Sequence, residues 1–359
     1  MTRKQDRPPV QDITNHIDPS WFRNQALTWF RKNKSPWPWR QELPGIEAPW
    51  RVLVSEIMLQ QTVIRAVLPV YERFLRTYPD PFHLARAPDE EVRRVCRGMG
   101  YYRRFAMLRQ AAILLTTEYT DAGGRIRWPT SKAGWMVLPG IGDYTAAAVS
   151  SIVNGEAAAV VDGNVERLFC RLFDIRLPPN LPGLKKPYRT IAAQLVSPRS
   201  PGNFNQALME MGQKLCTPRR PECGSCPVST VCLASARNSQ QLAPAAKIRQ
   251  AFTDVQLTVQ IPLRRNRIGL VMRADDSPFL KGSRGFLLVR ETTLQQEEPA
   301  HFRHTITRHR IHGRVCTTAV PADRSVIWVK QDEVADHLTT SLDAKAWQAA
   351  LRAGLQDPG

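Results

Sequence analysis

The 359-residue chain contains no long apolar run, and nothing in it approaches the roughly 18 consecutive apolar residues of a transmembrane helix. Residues 1–19 are polar and lack the apolar core of a secretory signal, so a cytoplasmic protein is expected. Acidic residues are scarce. Asp and Glu number 32 against 50 Lys and Arg, which leaves a formal charge of +18 and a pI near 10.1. An excess of that size favours a polyanionic partner, because Lys and Arg neutralise phosphates and release counterions. No long amphipathic Lys-rich helix is present, so a membrane surface is the poorer partner. Cysteine is also sparse. Seven thiols in a long chain with no export signal favour a metal site or free thiols over disulfides.

What is present divides the chain in two. Its length favours two domains, and 43% hydrophobic residues suffice for packed cores. From Ser20 to Ala236 the apolar period is helical: Leu53, Ile57, Ile64, Leu68, Tyr71 and Leu75 recur at helix spacing over 50–78. Val165, Leu168, Phe169, Leu172 and Phe173 mark a further helix, and proline-rich breaks separate such segments. Residues 237–250 turn polar and Ala/Gln-rich, as a linker does. Beyond them Val255, Leu257, Val259 and Ile261 alternate with polar residues, which predicts a half-buried strand. Residues 267–272, 285–290 and 326–330 are further strand candidates, with a closing helix over 342–355. No internal repeat is found. The expected organisation is a polar arm (1–19), a helical domain (20–236), a linker (237–250) and a smaller α+β domain (251–359).

Four of the seven cysteines fall within 17 residues, as Cys216, Cys223, Cys226 and Cys232 in the spacing C-x6-C-x2-C-x5-C. Four thiolates this close can converge on one soft metal centre, either zinc or a [4Fe–4S] cubane, and spacing alone does not separate the two. Arg219 and Arg220 lie in the loop between the first two thiols, where a pinned backbone presents them for phosphate contact. Cys96, Cys170 and Cys316 are isolated and read as small core hydrophobes.

The string Leu138-Pro139-Gly140-Ile141-Gly142-Asp143-Tyr144-Thr145-Ala146 links a helix over 131–137 to another over 144–154. Gly140 and Gly142 let the turn approach a ligand closely, and the second helix then points free N–H groups outward. This makes a phosphate seat that is blind to base sequence. The full string resembles the helix-hairpin-helix of the endonuclease III superfamily. The cysteine spacing resembles the [4Fe–4S] loop (216–232) that closes its helical domain. That resemblance implies a mainly α helix-hairpin-helix glycosylase domain, with a [4Fe–4S] cofactor in a structural role.

Glu56 sits in Ser55-Glu56-Ile57-Met58-Leu59-Gln60-Gln61-Thr62, among Val52, Leu53, Val54, Ile57 and Leu59. A carboxyl in such surroundings is penalised when ionised, so its pKa rises and it becomes a usable general acid near neutral pH. Asp162, in Val161-Asp162-Gly163-Asn164-Val165, stands at a helix start, which keeps a carboxylate ionised and also suits an N-cap. The segment around Glu56 resembles the MutY family of adenine glycosylases. That resemblance implies that Glu56 protonates adenine N7 while Asp162 stabilises an oxocarbenium-like sugar or adds to it covalently, with Tyr144 in contact with Asp162 to orient or polarise it and Asn164 helping to fix the geometry. Neither reacting atom is reachable inside the stack, so the base must be extruded. Where Tyr144 stands, bifunctional relatives carry a lysine that forms a Schiff base, so a monofunctional enzyme is implied. Gln61 and Tyr101 match elements that wedge into the duplex, and Arg40 and Gln206 match adenine-pocket positions. The remaining readings are a bifunctional glycosylase/lyase and another mismatch glycosylase of the same superfamily.

MutY proteins carry a Nudix-like C-terminal domain that reads 8-oxoguanine, and residues 251–359 have the matching position, size and α+β pattern. No Nudix catalytic box is present, so pyrophosphate hydrolysis is not expected. The family's Phe-Ser-His reader appears as Ile306-Thr307-Arg308, in which Thr307 offers a hydroxyl and Arg308 a purine-edge donor. His301, His304, His309 and His312 present no convincing metal pair, and with Arg303, Arg308, Arg310 and Arg314 they read as a basic ribbon facing DNA. The expected partner is double-stranded DNA with adenine opposite 8-oxoguanine or guanine, bound by a monomer in the cytoplasm at the nucleoid.

Overall fold

A computed structural model describes residues 16–354 except 182, 249–250, 266, 292–300 and 320–324. Most of the expected N-terminal arm and the end of the expected linker therefore lie outside the described residues, as does residue 355 of the closing helix. The chain divides into two compact units, Met1–Ile248 and Arg249–Gly359. No helix among the described residues is long and apolar enough to cross a membrane.

Unit 1 is helical: α1 (Pro19–Asn33), α2 (Ala48–Leu59), α3 (Ile64–Thr77), α4 (Pro81–Arg86), α5 (Asp89–Val95), α6 (Arg103–Glu118), α7 (Lys132–Met136), α8 (Asp143–Val149), α9 (Gly163–Leu172), α10 (Lys185–Leu195), α11 (Pro201–Lys214) and α12 (Leu233–Ala236). Local chemistry sets several starts. Asp18, Asp80, Ser131 and Asp162 each accept a backbone N–H of the helix they precede, satisfying donors that no helix can pair internally. Helix α2 is buried on every side, with nine successive residues from Trp50 to Met58 out of solvent, as a helix at the centre of a domain must be. Helix α3 buries one stripe only, Val67, Val70, Tyr71, Phe74 and Leu75.

The helical stretch expected over 50–78 is broken at residues 60–63, where Gln61 takes left-handed backbone with φ 55°. The helix expected over 144–154 is α8 followed by a π-helical turn over 150–154. Of the isolated cysteines, Cys96 and Cys170 are buried, but Cys316 is exposed and is not a core residue.

Among the described residues, two large apolar cores and a small cluster of Ala147, Ala148 and Val160 fill unit 1. One gathers side chains of residues 39–149, including Trp50, Tyr71, Phe74, Phe105 and Trp135. The other joins α1, through Phe22, Ala26 and Phe30, to α9, α10 and α11. Each fully buried side chain of this size contributes about 1.5–3 kcal/mol over its exposed state. The N-terminal helix thus closes on the later half of the unit, and a cleft is left between the two cores.

Unit 2 is built on strands β1 (Thr253–Arg264), β2 (Arg267–Met272), β3 (Arg284–Gly285), β4 (Leu287–Arg290), β5 (Phe302–Ile306), β6 (His309–Thr318) and β7 (Val326–Lys330), with helices α13 (Val334–His337) and α14 (Ser341–Ala353). The strand order is β3-β2-β1-β6-β5, with β4 also on β1 and β7 on β2. Strand β1 pairs parallel with β6 from Thr253 to Pro262 and antiparallel with β4 at Leu257–Gln260 and β2 at its end. Val255, Leu257, Val259 and Ile261 are its buried face, packing with Trp347 and Ala350 of α14 in one core. Inside, the Arg273 guanidinium pairs with Asp343, both essentially inaccessible to solvent. The partners are fully engaged. Arg273 also bonds Phe286 O and Ser283 Oγ, and Asp343 accepts the Phe286 N–H and the Thr340 hydroxyl, which offsets the cost of burying both charges.

Candidate active site

The cleft between the two cores of unit 1 holds a cavity of about 720 Å³. Glu56, Tyr144, Asp162, Asn164, Arg40 and Gln206 all line it, although 166 residues separate the first and last of these in sequence. Gln61 and Tyr101 do not line it. They stand exposed on two turns, Gln61 after α2 and Tyr101 before α6, both with left-handed backbone.

Glu56 projects from the buried helix α2 and is 7% exposed. Burial pushes its carboxyl up to about 7, the negative charge of Asp162 adds to this, and Arg40 opposes it. Asp162 caps α9. Its Oδ1 accepts the N–H groups of Asn164 (2.9 Å) and Val165 (2.8 Å), and its Oδ2 accepts Asn164 Nδ2 at 2.8 Å. The capping role and the candidate chemical role fall on one side chain. Asn164 is held in turn by Arg167, whose Nη2 donates to its Oδ1 at 3.0 Å and to Gly212 O at 2.7 Å. Only glycine fits at 212. A Cβ there would lie 2.7 Å from the Asn164 Cβ and 3.0 Å from its carbonyl oxygen, so α11 reaches α9 because the side chain is missing.

Tyr144 is half-buried, and burial, with Glu56 and Asp162 nearby, holds its phenol well above the usual range. Its hydroxyl donates to Met209 Sδ at 3.3 Å, where sequence reasoning expected contact with Asp162. Arg40 donates from Nε to Gln206 Oε1 (2.7 Å) and from Nη1 to Ser35 O and Glu210 Oε2, both at 2.8 Å. Gln206 Nε2 donates to Gly202 O at 3.2 Å, so the two expected pocket residues are joined to each other at the cavity wall.

Glu210 was not visible to sequence reasoning. It is 2% exposed and accepts from Arg40, Lys214 and Ser35. Burial alone raises its carboxyl, but those three partners together hold it below the ordinary value. Arg51 was missed as well. It is 8% exposed, lines the same cavity, and its Nε is buried without a hydrogen-bond partner. The only sequence signal for either is a charge inside a helix whose neighbours are apolar.

In the hairpin, Gly140 has φ 78°, and a Cβ there would come within 2.5 Å of Met107 Cβ, so glycine is required twice over. Gly142 precedes α8 as its N-cap. The Asp143 carboxylate beside it is paired with Lys132 (2.6 Å) and Arg189 (3.2 Å), which hold it below its ordinary value.

Cys216, Cys223, Cys226 and Cys232 line one small apolar cavity with Leu168, Leu172, Leu215 and Val228. Arg171 Nη1 donates to Cys216 Sγ at 3.3 Å and Gln240 Nε2 to Cys223 Sγ at 3.7 Å, so donors already face sulfurs that carry negative charge when they ligate metal. Arg219 and Arg220 are exposed on the loop between the first two thiols. The loop is pinned by Gln241 Nε2 on Arg219 O (2.8 Å) and Thr217 Oγ1 on Arg220 O (2.5 Å). In unit 2, Thr307 (φ 50°) and Arg308 are exposed at the tip of the hairpin between β5 and β6.

Residues 54–180 match the HhH-GPD superfamily of base excision DNA repair proteins, and residues 216–232 match the iron–sulfur binding domain of endonuclease III. The second match makes a [4Fe–4S] cluster the cofactor of the four cysteines. The human adenine DNA glycosylase is 38% identical over 239 residues, covering 66% of this chain and 43% of that protein. The chain thus spans less than half the length of its human, mouse and rat relatives. An adenine DNA glycosylase of Mycobacterium tuberculosis is 32% identical over 255 residues, covering 71% of this chain and 79% of that protein. A solved structure of a thermostable thymine-DNA glycosylase superposes with a TM-score of 0.53 at 28% identity, covering 63% of this chain and all of that one. The chain belongs to the MutY-type adenine DNA glycosylase family, within the HhH-GPD superfamily.

Proposed function

We propose that this protein removes adenine mispaired with 8-oxoguanine or guanine from double-stranded DNA and leaves the strand intact. The observation that carries the reading is the pairing of Glu56, a carboxyl poised near neutrality, with Asp162 in one cavity. Protonated Glu56 gives its proton to N7 of the extruded adenine, which turns a poor leaving group into a good one. Asp162, fixed by two backbone N–H groups and Asn164, faces the sugar and stabilises the positive charge that develops as the glycosidic bond breaks. Arg40 and Gln206 line the base pocket, and the Tyr144 phenol packs beside Asp162. Water then adds at C1′ of the sugar and its proton restores Glu56; a phenol forms no Schiff base, so the product is an abasic site in an intact strand.

Gln61 and Tyr101 are the wedge that holds the duplex open, and the turn at Gly140 and Gly142, with Arg219 and Arg220, seats backbone phosphates. Thr307 and Arg308 read the opposing base from a Nudix-like domain spanning 251–359, beyond the glycosylase domain of 20–236 and the linker of 237–250. The cluster supplies a rigid structural core to its loop, and no chemical step passes through it. The protein acts as a monomer at the nucleoid.

Duplexes with adenine opposite 8-oxoguanine, guanine, cytosine or thymine test the reading. Excision opposite only the first two is expected. Excision that ignores the opposing base, or a borohydride-trapped adduct formed efficiently on substrate, would sink it.

A further inference from the structure

The exposed Gln61 and Tyr101 stand on separate turns, and both have φ values, 55° and 45°, that side-chain-bearing residues rarely adopt. Such backbone persists only where its surroundings over-determine it. One side chain supplies that restraint to both turns. Arg104, in the first turn of α6, is 3% exposed, and its guanidinium reaches three segments at once. Nη1 donates to the carbonyls of Ile57 (3.3 Å) and Met58 (2.9 Å) at the end of α2, and to Gln60 O. Nη2 donates to Thr62 Oγ1 at 2.8 Å and to Met99 O at 3.0 Å. Gln60 and Thr62 flank Gln61, and Met99 lies in the turn that carries Tyr101. The Arg104 backbone N–H also bonds Tyr101 O at 3.2 Å.

Capping the end of α2 needs only one or two donors, and a lysine or a water can provide them. A planar fork bonded to both flanks of one turn and to the other turn does more, because it fixes their separation. We propose that Arg104 is a positioning residue that locks Gln61 and Tyr101 into a rigid two-pronged wedge, referenced to the helix that carries Glu56. The proposal rests on the reading of those two side chains as the elements that enter the duplex. Rigid prongs matter while a paired, stacked adenine is being extruded. They matter little once the base is already out.

The test compares Arg104→Met and Arg104→Lys with the unsubstituted protein, all full-length and carrying their cluster. Single-turnover excision is measured on adenine paired in a duplex and on adenine in an unpaired bulge, with 2-aminopurine beside the paired adenine reporting unstacking. Arg104→Met is expected to lower both the unstacking amplitude and the excision rate on the paired duplex by about tenfold or more, while staying within about threefold on the bulge. Arg104→Lys keeps a buried cation, covers the case in which the Met variant fails to fold, and should fall between. Equal losses on both substrates, or none on either, overturn the positioning role and leave the functional reading standing. If the unsubstituted protein excises adenine from neither substrate, the reading and the inference fall together.

Discussion

Glu56 and Asp162 face one cavity from two different helices, α2 and the cap of α9, and the charge on Asp162 adds to burial in raising the Glu56 carboxyl to about 7. Environment sets the two carboxyls apart. One carboxyl is buried among apolar groups, while the other is saturated with N–H donors at a helix start.

Activity should therefore follow the protonated fraction of Glu56. Single-turnover excision is expected to hold at a plateau below pH 7 and to fall roughly tenfold per pH unit above it, because in the proposed reaction the acid form is the one that donates. Glu56→Gln should cost about a hundredfold or more on the plateau below pH 7 and abolish the alkaline limb, so that the difference between the two proteins narrows as pH rises. A flat profile to pH 9 in the unsubstituted protein would remove Glu56 as the general acid.

The same carboxyl has a consequence for stability. Its folded value, about 7, lies above the ordinary 4.5, so the native state holds the extra proton between these pH values. The favourable contribution is complete below pH 4.5 and is lost as pH rises through 7. Glu56→Gln carries no such charge and should be the more stable protein at pH 8, by up to about 3 kcal/mol, with little difference at pH 5. Chemical denaturation at the two pH values measures this, and an equal effect at both would refute it.

Gly212→Ala tests the contact that places Asp162. The new methyl group meets Asn164 side chain and backbone at 2.7–3.1 Å, so α11 must move from α9. A loss of about 1–3 kcal/mol is expected, with excision reduced more than DNA binding because the capped carboxylate shifts. Thermal melting and single-turnover rates read the two effects separately.

Arg171 is 3% exposed and donates to the carbonyls of Cys216, Thr217, Pro218, Gln240 and Ala243 as well as to Cys216 Sγ. Arg171→Met removes the donor these acceptors share, of which Cys216 O alone keeps a second partner in Arg167 Nε, and should cost about 1–3 kcal/mol or more even while all four cysteines remain. Iron content and visible absorbance should fall with the melting temperature. Full iron content with an unchanged melt would show that the loop holds without it.

Much of unit 1 was legible because its signals are local. The string around Gly140 and Gly142 announced its turn, the four cysteines announced their loop, and Asp162 stood where a helix had to begin. The Val255–Ile261 alternation likewise became the buried face of β1. The break at Gln61 was not legible, because the apolar period of 50–78 continues across it and only the backbone shows the left-handed turn.

The amino-acid order by itself determined the helical and strand periods, the cap and turn chemistry and the spacing of the four thiols, since these depend on neighbours within a few residues. Only the tertiary structure decided what the buried charges do. Arg40 meets Glu210 across 170 residues, Arg104 reaches back 42–47 residues to the end of α2 and Thr62, and Tyr144 donates to Met209 65 residues away instead of to Asp162. These pairings follow from how two apolar cores pack around one cleft. A charged residue excluded from water takes whichever partner that packing brings within reach, and no local pattern encodes the choice.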